Sequence, residues 1–312
     1  MWNLPNTARV VDVGLRDGLQ AVEEPLSLET KLSIVDQLID AGVREIEVCS
    51  FAHPKVLPQL ADAEALLERV PRDKGIRYRG LAPNLRGAQR AADCQLDELG
   101  VVIPAEDGMA LKNQGKTTQE LLDDLQEIGR VTQESSQELI VAVACAFFSP
   151  AYGPVSVEAR DRVVQAAVDA GATGVYLAAT TGQEHPREIY DGILETHQKF
   201  PGLSVGMHLH NRNGFAPANA LAALSAGADW LETSFAALGG DLWFPGDPTV
   251  LGNMATEDLI HLLDGMGIET GIDLDGIRRI AEMVYELTDF PRSSFVVRGG
   301  TRQDLADASW DD

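Results

Sequence analysis

The residues able to do chemistry in this chain fall in short, widely separated clusters. Met207-His208-Leu209-His210-Asn211 carries two imidazoles two positions apart in an apolar setting. In an extended strand residues i and i+2 face the same side, so both rings converge on one point. Two histidines and one carboxylate form a divalent-metal set that leaves positions open for substrate and water. The plainer alternative is one buried, hydrogen-bonded histidine beside one in solvent, because imidazoles also serve as ordinary polar groups. Arg16-Asp17 follows the apolar run that starts at Val10 and offers the carboxylate. Glu45 and Glu47 share a face of the next run, which ends near Ser50 and His53. Further on, Leu238-Gly239-Gly240-Asp241-Leu242-Trp243-Phe244-Pro245-Gly246 precedes Leu251-Gly252-Asn253-Met254-Ala255. Glycine at that density suits a loop that moves over a site, or a plain surface loop with two exposed aromatics. Thr256 with Glu257 and Asp258 reads as a helix start, acidic groups lying near the positive end of the dipole.

Groups so far apart need a scaffold that gathers them. Eight short runs rich in Val, Ile and Leu are candidate strands: Val10 to Gly14, Glu45 to Ser50, Ile76 to Leu81, Leu99 to Ile103, Leu139 to Phe147, Val175 to Ala179, Ser204 to His210 and Trp230 to Phe235. Amphipathic stretches lie between them, such as Leu28 to Ala41, Thr118 to Thr132, Val157 to Ala170 and Ala216 to Ala226. Three of these end on an Ala-Gly pair, a stop signal because glycine takes the left-handed conformation at low cost. Apolar strands alternating with helices mean a parallel sheet covered on its outside. Eight such units close into an α/β fold, the (β/α)8 TIM barrel. The structural rival, an open doubly wound sheet, usually carries a Gly-rich phosphate turn after its first strand. Here that turn is Gly14-Leu15-Arg16-Asp17-Gly18-Leu19-Gln20, charged where the fingerprint is small. Two more helical segments, Thr256 to Gly265 and Asp275 to Thr288, are expected to cover one end of the barrel. Residues 1–290 are read as the barrel domain and 291–312 as a C-terminal tail. In such barrels the site forms at the carboxyl ends of the strands, where the clusters above fall.

Composition narrows the partners. The chain has 312 residues, 45% hydrophobic, with 25 Lys and Arg against 48 Asp and Glu, a formal charge of -23. A chain this anionic is repelled by phosphate backbones and acidic membrane surfaces, and it has no local basic cluster to offset that field. Neither nucleic acid nor membrane is expected as a partner. The longest apolar run, Leu139 to Phe148, is half of a bilayer span and reads as a buried strand. The N-terminal residues have no basic stretch followed by an apolar core, and Cys49, Cys94 and Cys145 are odd in number and far apart. Both suit a reducing compartment, with cytoplasm as the expectation.

At these residues the chain resembles the 3-hydroxy-3-methylglutaryl-CoA lyase family, within the DRE-TIM metallolyases, from Val13 to Leu274. The likeness rests on Gly18-Leu19-Gln20 after Arg16-Asp17, on Glu47-Val48-Cys49-Ser50-Phe51 with Pro54-Lys55 and Pro58-Gln59, and on Pro83-Asn84-Leu85. It continues in His208-Leu209-His210, Leu238-Gly239-Gly240 and Gly252-Asn253 through Asp258. The resemblance implies Asp17, His208, His210 and Asn253 as ligands of a divalent metal, Mg2+ or Mn2+. It implies Arg16 as the catalytic arginine, with Gln20, Glu47, His208 and Asp241 completing the catalytic set. The implied reaction is cleavage of a 3-hydroxy acyl-CoA or related 3-hydroxy acid, with Arg16 stabilising the enolate left when a carbon–carbon bond breaks. A small-molecule substrate and a homo-oligomer are the expected partners.

Four places depart from the family pattern. Asp241 stands where the glycine loop continues with a cysteine that acts as acid or base; a carboxyl group does similar work if desolvation raises its pKa. Ala179 stands where the family places an aspartate, and Glu23 or Glu24 where a lysine meets the coenzyme phosphates. His53 replaces a small polar residue and reads equally as a substitute base or a capped surface histidine. Two rival readings remain: an aldolase or condensing enzyme for a free 2-oxo acid or other thioester, and an inactive barrel kept for binding.

Overall fold

The computed structural model describes residues 3–240 and 252–309. Eight parallel strands close into a barrel: β1 (Val10–Asp12), β2 (Glu45–Ser50), β3 (Arg77–Leu81), β4 (Glu98–Pro104), β5 (Glu138–Ala144), β6 (Gly174–Ala179), β7 (Ser204–Leu209) and β8 (Trp230–Thr233). Each pairs with its chain neighbour, and β8 closes on β1 through Val10–Leu231, Val11–Glu232 and Asp12–Thr233. The expected (β/α)8 barrel is therefore present.

The outer layer is α1 (Leu28–Asp40), α2 (Ala63–Arg69), α3 (Leu85–Ala92), α4 (Asp107–Gln114), α5 (Thr118–Glu134), α6 (Val157–Asp169), α7 (Pro186–Lys199), α8 (Ala216–Ser225), α9 (Thr256–Gly265) and α10 (Leu274–Leu287). Local sequence accounts for the ends. Ser27 and Ser156 accept backbone N–H bonds at the starts of α1 and α6, and Thr117 with Glu120 forms a capping box on α5. Gly42, Gly171 and Gly227 have φ of 94°, 84° and 94°, so the three Ala-Gly pairs do stop their helices. The two segments expected to cover one end of the barrel, α9 and α10, both meet the turn Phe235–Ala237 that follows β8. α10 packs against α1, and so closes the ring of helices between the last strand and the first.

Beyond Leu287 the chain forms α11 (Phe295–Gly299) and α12 (Arg302–Asp307). The Asp258 carboxylate at the start of α9 accepts from Ser294 Oγ and from the N–H groups of Phe295 and Val296, which anchors α11.

Several strands are shorter than their apolar runs. β1 stops at Asp12 because Gly14–Gly18 coils into a single π-helical turn, in which the N–H groups of Arg16, Asp17 and Gly18 all reach the Val13 carbonyl. β5 stops at Ala144 because Cys145 takes a φ of 50°. Between strands and helices lies one continuous apolar core. The barrel interior is different: Val11, Val13, Ile140, Ala142, Tyr176 and Trp230 form a small separate cluster. Buried ion pairs accompany it. Arg79, 2% exposed, bonds Glu98 at 2.8 Å and also Glu232.

Candidate active site

The turn after β1 presents Arg16 and Asp17 at the carboxyl-terminal mouth. It fits because Gly14 and Gly18 carry no side chain: a Cβ on Gly14 would lie 2.4 Å from the Phe235 ring, and one on Gly18 2.8 Å from Leu238 Cβ. Beneath the turn Asp12 ties strand ends together, accepting from Gly14 N–H, Phe235 N–H and Thr256 Oγ1 at 2.8, 3.1 and 2.6 Å. Burial pushes its carboxyl up to about 6.

His208 is the fifth residue of β7, and His210 lies just past the strand's end. The chain from Gly252 runs beside that end, with His210 bridged to Asn253 and Ser234 to Ala255. Asp17, His208 and His210 thereby meet, each offering one ligand atom within 4.8 Å of the others. The two imidazole Nε2 atoms stand 3.1 Å apart, and Asp17 Oδ2 is 4.0 Å from that of His208. The facing imidazoles converge on one point, as the two-residue spacing requires.

Asn253 joins the same corner. Its Nδ2 donates to Asp17 Oδ2 at 2.6 Å and to the Leu238 carbonyl at 3.0 Å, while its Oδ1 is buried without a partner among the described residues. A buried oxygen left unpaired beside two imidazoles and a carboxylate is what a divalent cation would satisfy. The donor set fits a metal.

Around it sits a charged frame. Arg16 Nε donates to Glu47 Oε2 at 2.6 Å and its Nη1 to Asp17 Oδ1 at 2.5 Å; Gln20 Nε2 donates to the same Asp17 oxygen at 3.0 Å. Burial opposes ionisation of Asp17, but Arg16 and the two histidines outweigh it and hold the carboxyl down at about 2. Asp17 is therefore anionic at any working pH. Glu47 is fully buried, and desolvation raises its pKa against the pull of Arg16.

A cavity of about 410 Å³ opens onto this corner, with Arg16, Asp17, His208 and His210 at one end and Val56, Leu57, Pro83 and Met109 among its apolar walls. His53 lies on its rim, exposed, with Nδ1 accepting from the Lys55 N–H. Ala179 is buried on β6, and Glu23 and Glu24 are exposed. Asp241 lies outside the described residues. Cys49 and Cys94 are free thiols, and no described helix is long and apolar enough to cross a membrane.

The structure adds groups the motifs did not single out. Glu232 Oε2 contacts His208 Nδ1 at 3.1 Å and so fixes the ring that turns Nε2 toward Asp17. Trp230 Nε1 and Arg79 hold the other Glu232 oxygen. Tyr176 lies beside His208, ring centroids 5.8 Å apart. Glu232 stands opposite His208 on the adjacent strand, a register that spacing within either segment does not announce.

Comparison with known proteins agrees with the geometry. A family model described as HMGL-like matches residues 7–284. The chain is 34% identical over 301 residues to (R)-citramalyl-CoA lyase of Chloroflexus aurantiacus, covering 93% of this chain and 94% of that protein. It is 31% identical to hydroxymethylglutaryl-CoA lyase of Pseudomonas mevalonii, covering 87% and 89%. Among solved structures, an HMG-CoA lyase from Acinetobacter baumannii in complex with coenzyme A and 3-methylmalate superposes with a TM-score of 0.91 at 30% identity, over 97% of this chain and 98% of that one.

Proposed function

The chain belongs to the HMGL-like family and is a lyase of the hydroxymethylglutaryl-CoA lyase type; from that premise we propose that it cleaves a 3-hydroxy acyl-CoA thioester with a bound Mg2+ or Mn2+. The observation that carries the reading is the meeting of Asp17, His208 and His210 within 4.8 Å of one another, beside an arginine and an unpaired amide oxygen. Asp17, His208, His210 and Asn253 Oδ1 would hold the ion. Nitrogen and oxygen donors with open positions suit an octahedral cation, which supplies Lewis acidity toward the substrate's oxygens.

The chain's own residues do the rest. Arg16 is oriented by Glu47 and Asp17, so its remaining N–H groups are free to meet an oxygen that gains charge. When the carbinol proton leaves, the bond between the carbinol carbon and its neighbour breaks. The carbinol becomes a carbonyl, and the bonding pair passes to the thioester-side fragment as an enolate. Arg16 stabilises that oxygen, and a proton returned to carbon completes the reaction. Asp241 is assigned to move that proton, and Gln20 to hold Asp17 in place. A coenzyme A ester is favoured over the free acid by the names of the relatives.

The test is direct. Purified protein reconstituted with Mg2+ or Mn2+ is assayed on 3-hydroxy acyl-CoA esters and on the matching free acids, with metal content measured alongside. Cleavage of esters that stops on chelation supports the reading. Cleavage of free acids alone, or of esters in full after chelation, overturns it.

A further inference from the structure

One polar group in the cavity has no task in the scheme above. Tyr176 sits on β6 with its Cα opposite Ala142 of β5 and Gly206 of β7. The residue is 3% exposed, and what is exposed faces the cavity. Its ring is flanked on the interior side. The Arg79 guanidinium carbon lies 5.9 Å from the ring centroid and the His208 ring stands beside it, while Val11, Ile140 and Trp230 pack in the same interior cluster. Among the described residues the hydroxyl has no hydrogen-bond partner, yet every charged neighbour on the interior side is paired: Arg79 with Glu98 and Glu232, Arg16 with Glu47 and Asp17. A phenol that faces the cavity without a protein partner is left to donate to whatever fills that cavity.

The surrounding positions say what part of a substrate lies there. Ala142, Ala144 and Ala178 line the same wall on β5 and β6, so the space beside the metal-binding corner is lined with methyl groups and floored by one aromatic ring. Such a space fits a short apolar branch with one oxygen acceptor.

We propose that Tyr176 is a specificity-determining substrate contact, its hydroxyl donating to an oxygen of the acyl group and its ring limiting how large a branch the carbinol carbon carries. The inference deepens the lyase reading and rests on it. Filling the floor with an aromatic ring leaves room for hydrogen or methyl at that carbon and excludes longer chains. Removing the ring opens depth but also takes away the packing beside His208, so metal content is measured on that variant too.

The experiment uses the metal-loaded protein and a series of 3-hydroxy acyl-CoA esters bearing hydrogen, methyl or propyl at the carbinol carbon. Tyr176→Phe keeps every ring contact and removes only the donor, so it folds as the parent does, which its melting temperature checks. Tyr176→Ala removes the floor. Binding without turnover is read by calorimetry on the 3-methoxy esters, which have no hydroxyl proton to lose.

Tyr176→Phe is expected to weaken methoxy-ester binding and lower kcat/KM by about five- to ten-fold, alike across the series. Tyr176→Ala is expected to shift preference toward the propyl ester by about ten-fold or more relative to the parent. If the parent cleaves these esters while Tyr176→Phe matches it in binding and rate, this inference is overturned and the lyase reading stands. If the parent neither binds nor cleaves any of them, the lyase reading falls and takes the inference with it.

Discussion

At the scale of single residues, the donors around the candidate metal differ in what their loss would expose. Asp17 is the one anionic ligand, and it also anchors Arg16, Gln20 and Asn253. Asp17→Ala is expected to lose both metal and activity, and elemental analysis after dialysis reads the first separately from the second. Glu232→Gln touches no substrate but frees His208 Nδ1, and a drop of about 10–100-fold in metal affinity is expected by analogy with other carboxylate–histidine–metal pairs. Unchanged affinity there would show that His208 is held by packing alone. Asp241→Asn is expected to lower kcat by about 10²–10⁴-fold if that carboxyl moves the proton, with binding of unreactive analogues retained. Glu257 gives a prediction of another kind. It is fully buried, its Oε2 accepts from the Ala236 N–H, and burial pushes its carboxyl up to about 8. The folded state therefore keeps a proton that the unfolded chain releases near the usual carboxylate pKa. Stability from this group is intact below that ordinary value and is lost as pH rises through about 8. Glu257→Gln should remove that slope, and its advantage over the parent in urea unfolding at pH 9, absent at pH 4, should be on the order of a few kcal/mol.

The elements that carry these residues are sensitive in their own way. The π-helical turn Gly14–Gly18 depends on close approach, so Gly14→Ala should force the turn off Phe235 at a cost of about 1–3 kcal/mol and loosen metal binding with it. Denaturant midpoint and metal titration on the same sample check both halves. That turn also marks where the strand pattern stops being readable. Eight apolar runs and three Ala-Gly stops were enough for the barrel, because alternation of apolar strands with amphipathic helices has few other closed solutions. The run Val10 to Gly14 did not reveal that pairing ends at Asp12. Three amides sharing the Val13 carbonyl is a feature of backbone geometry, with no composition to announce it. His208 and His210 were legible because strand spacing puts them on one face. Glu232, Arg79 and Tyr176 were not, since a lone Glu, Arg or Tyr in an apolar run looks like any half-exposed strand residue until the closed sheet turns it inward. α10 was legible as a helix, but its contact with α1 was not, because sequence periodicity carries no information about which neighbour a helix meets.

For the molecule as a whole, the most demanding feature is the charged interior. Arg79 joins Glu98 to Glu232 across the barrel, and Glu98 reaches Arg77 at 3.0 Å near the opposite rim. Arg79→Met is expected to cost about 3–5 kcal/mol, because it takes the shared cation from two buried carboxylates and leaves both charges in place. The paired site has a different economy at its upper edge. Gly239, with φ of 147°, stands so close to Asn253 that a Cβ there would lie 2.4 Å from the amide nitrogen, and the same nitrogen reaches the Leu238 carbonyl. Both flanks of residues 241–251 are thus stapled to one another through a single amide. With both flanks held in this way, a change within residues 241–251 is expected to leave the metal-binding corner in place. A chimera that takes this stretch from a cysteine-bearing relative should keep the parent's melting temperature and metal content while exchanging the proposed proton carrier, Asp241, for a thiol.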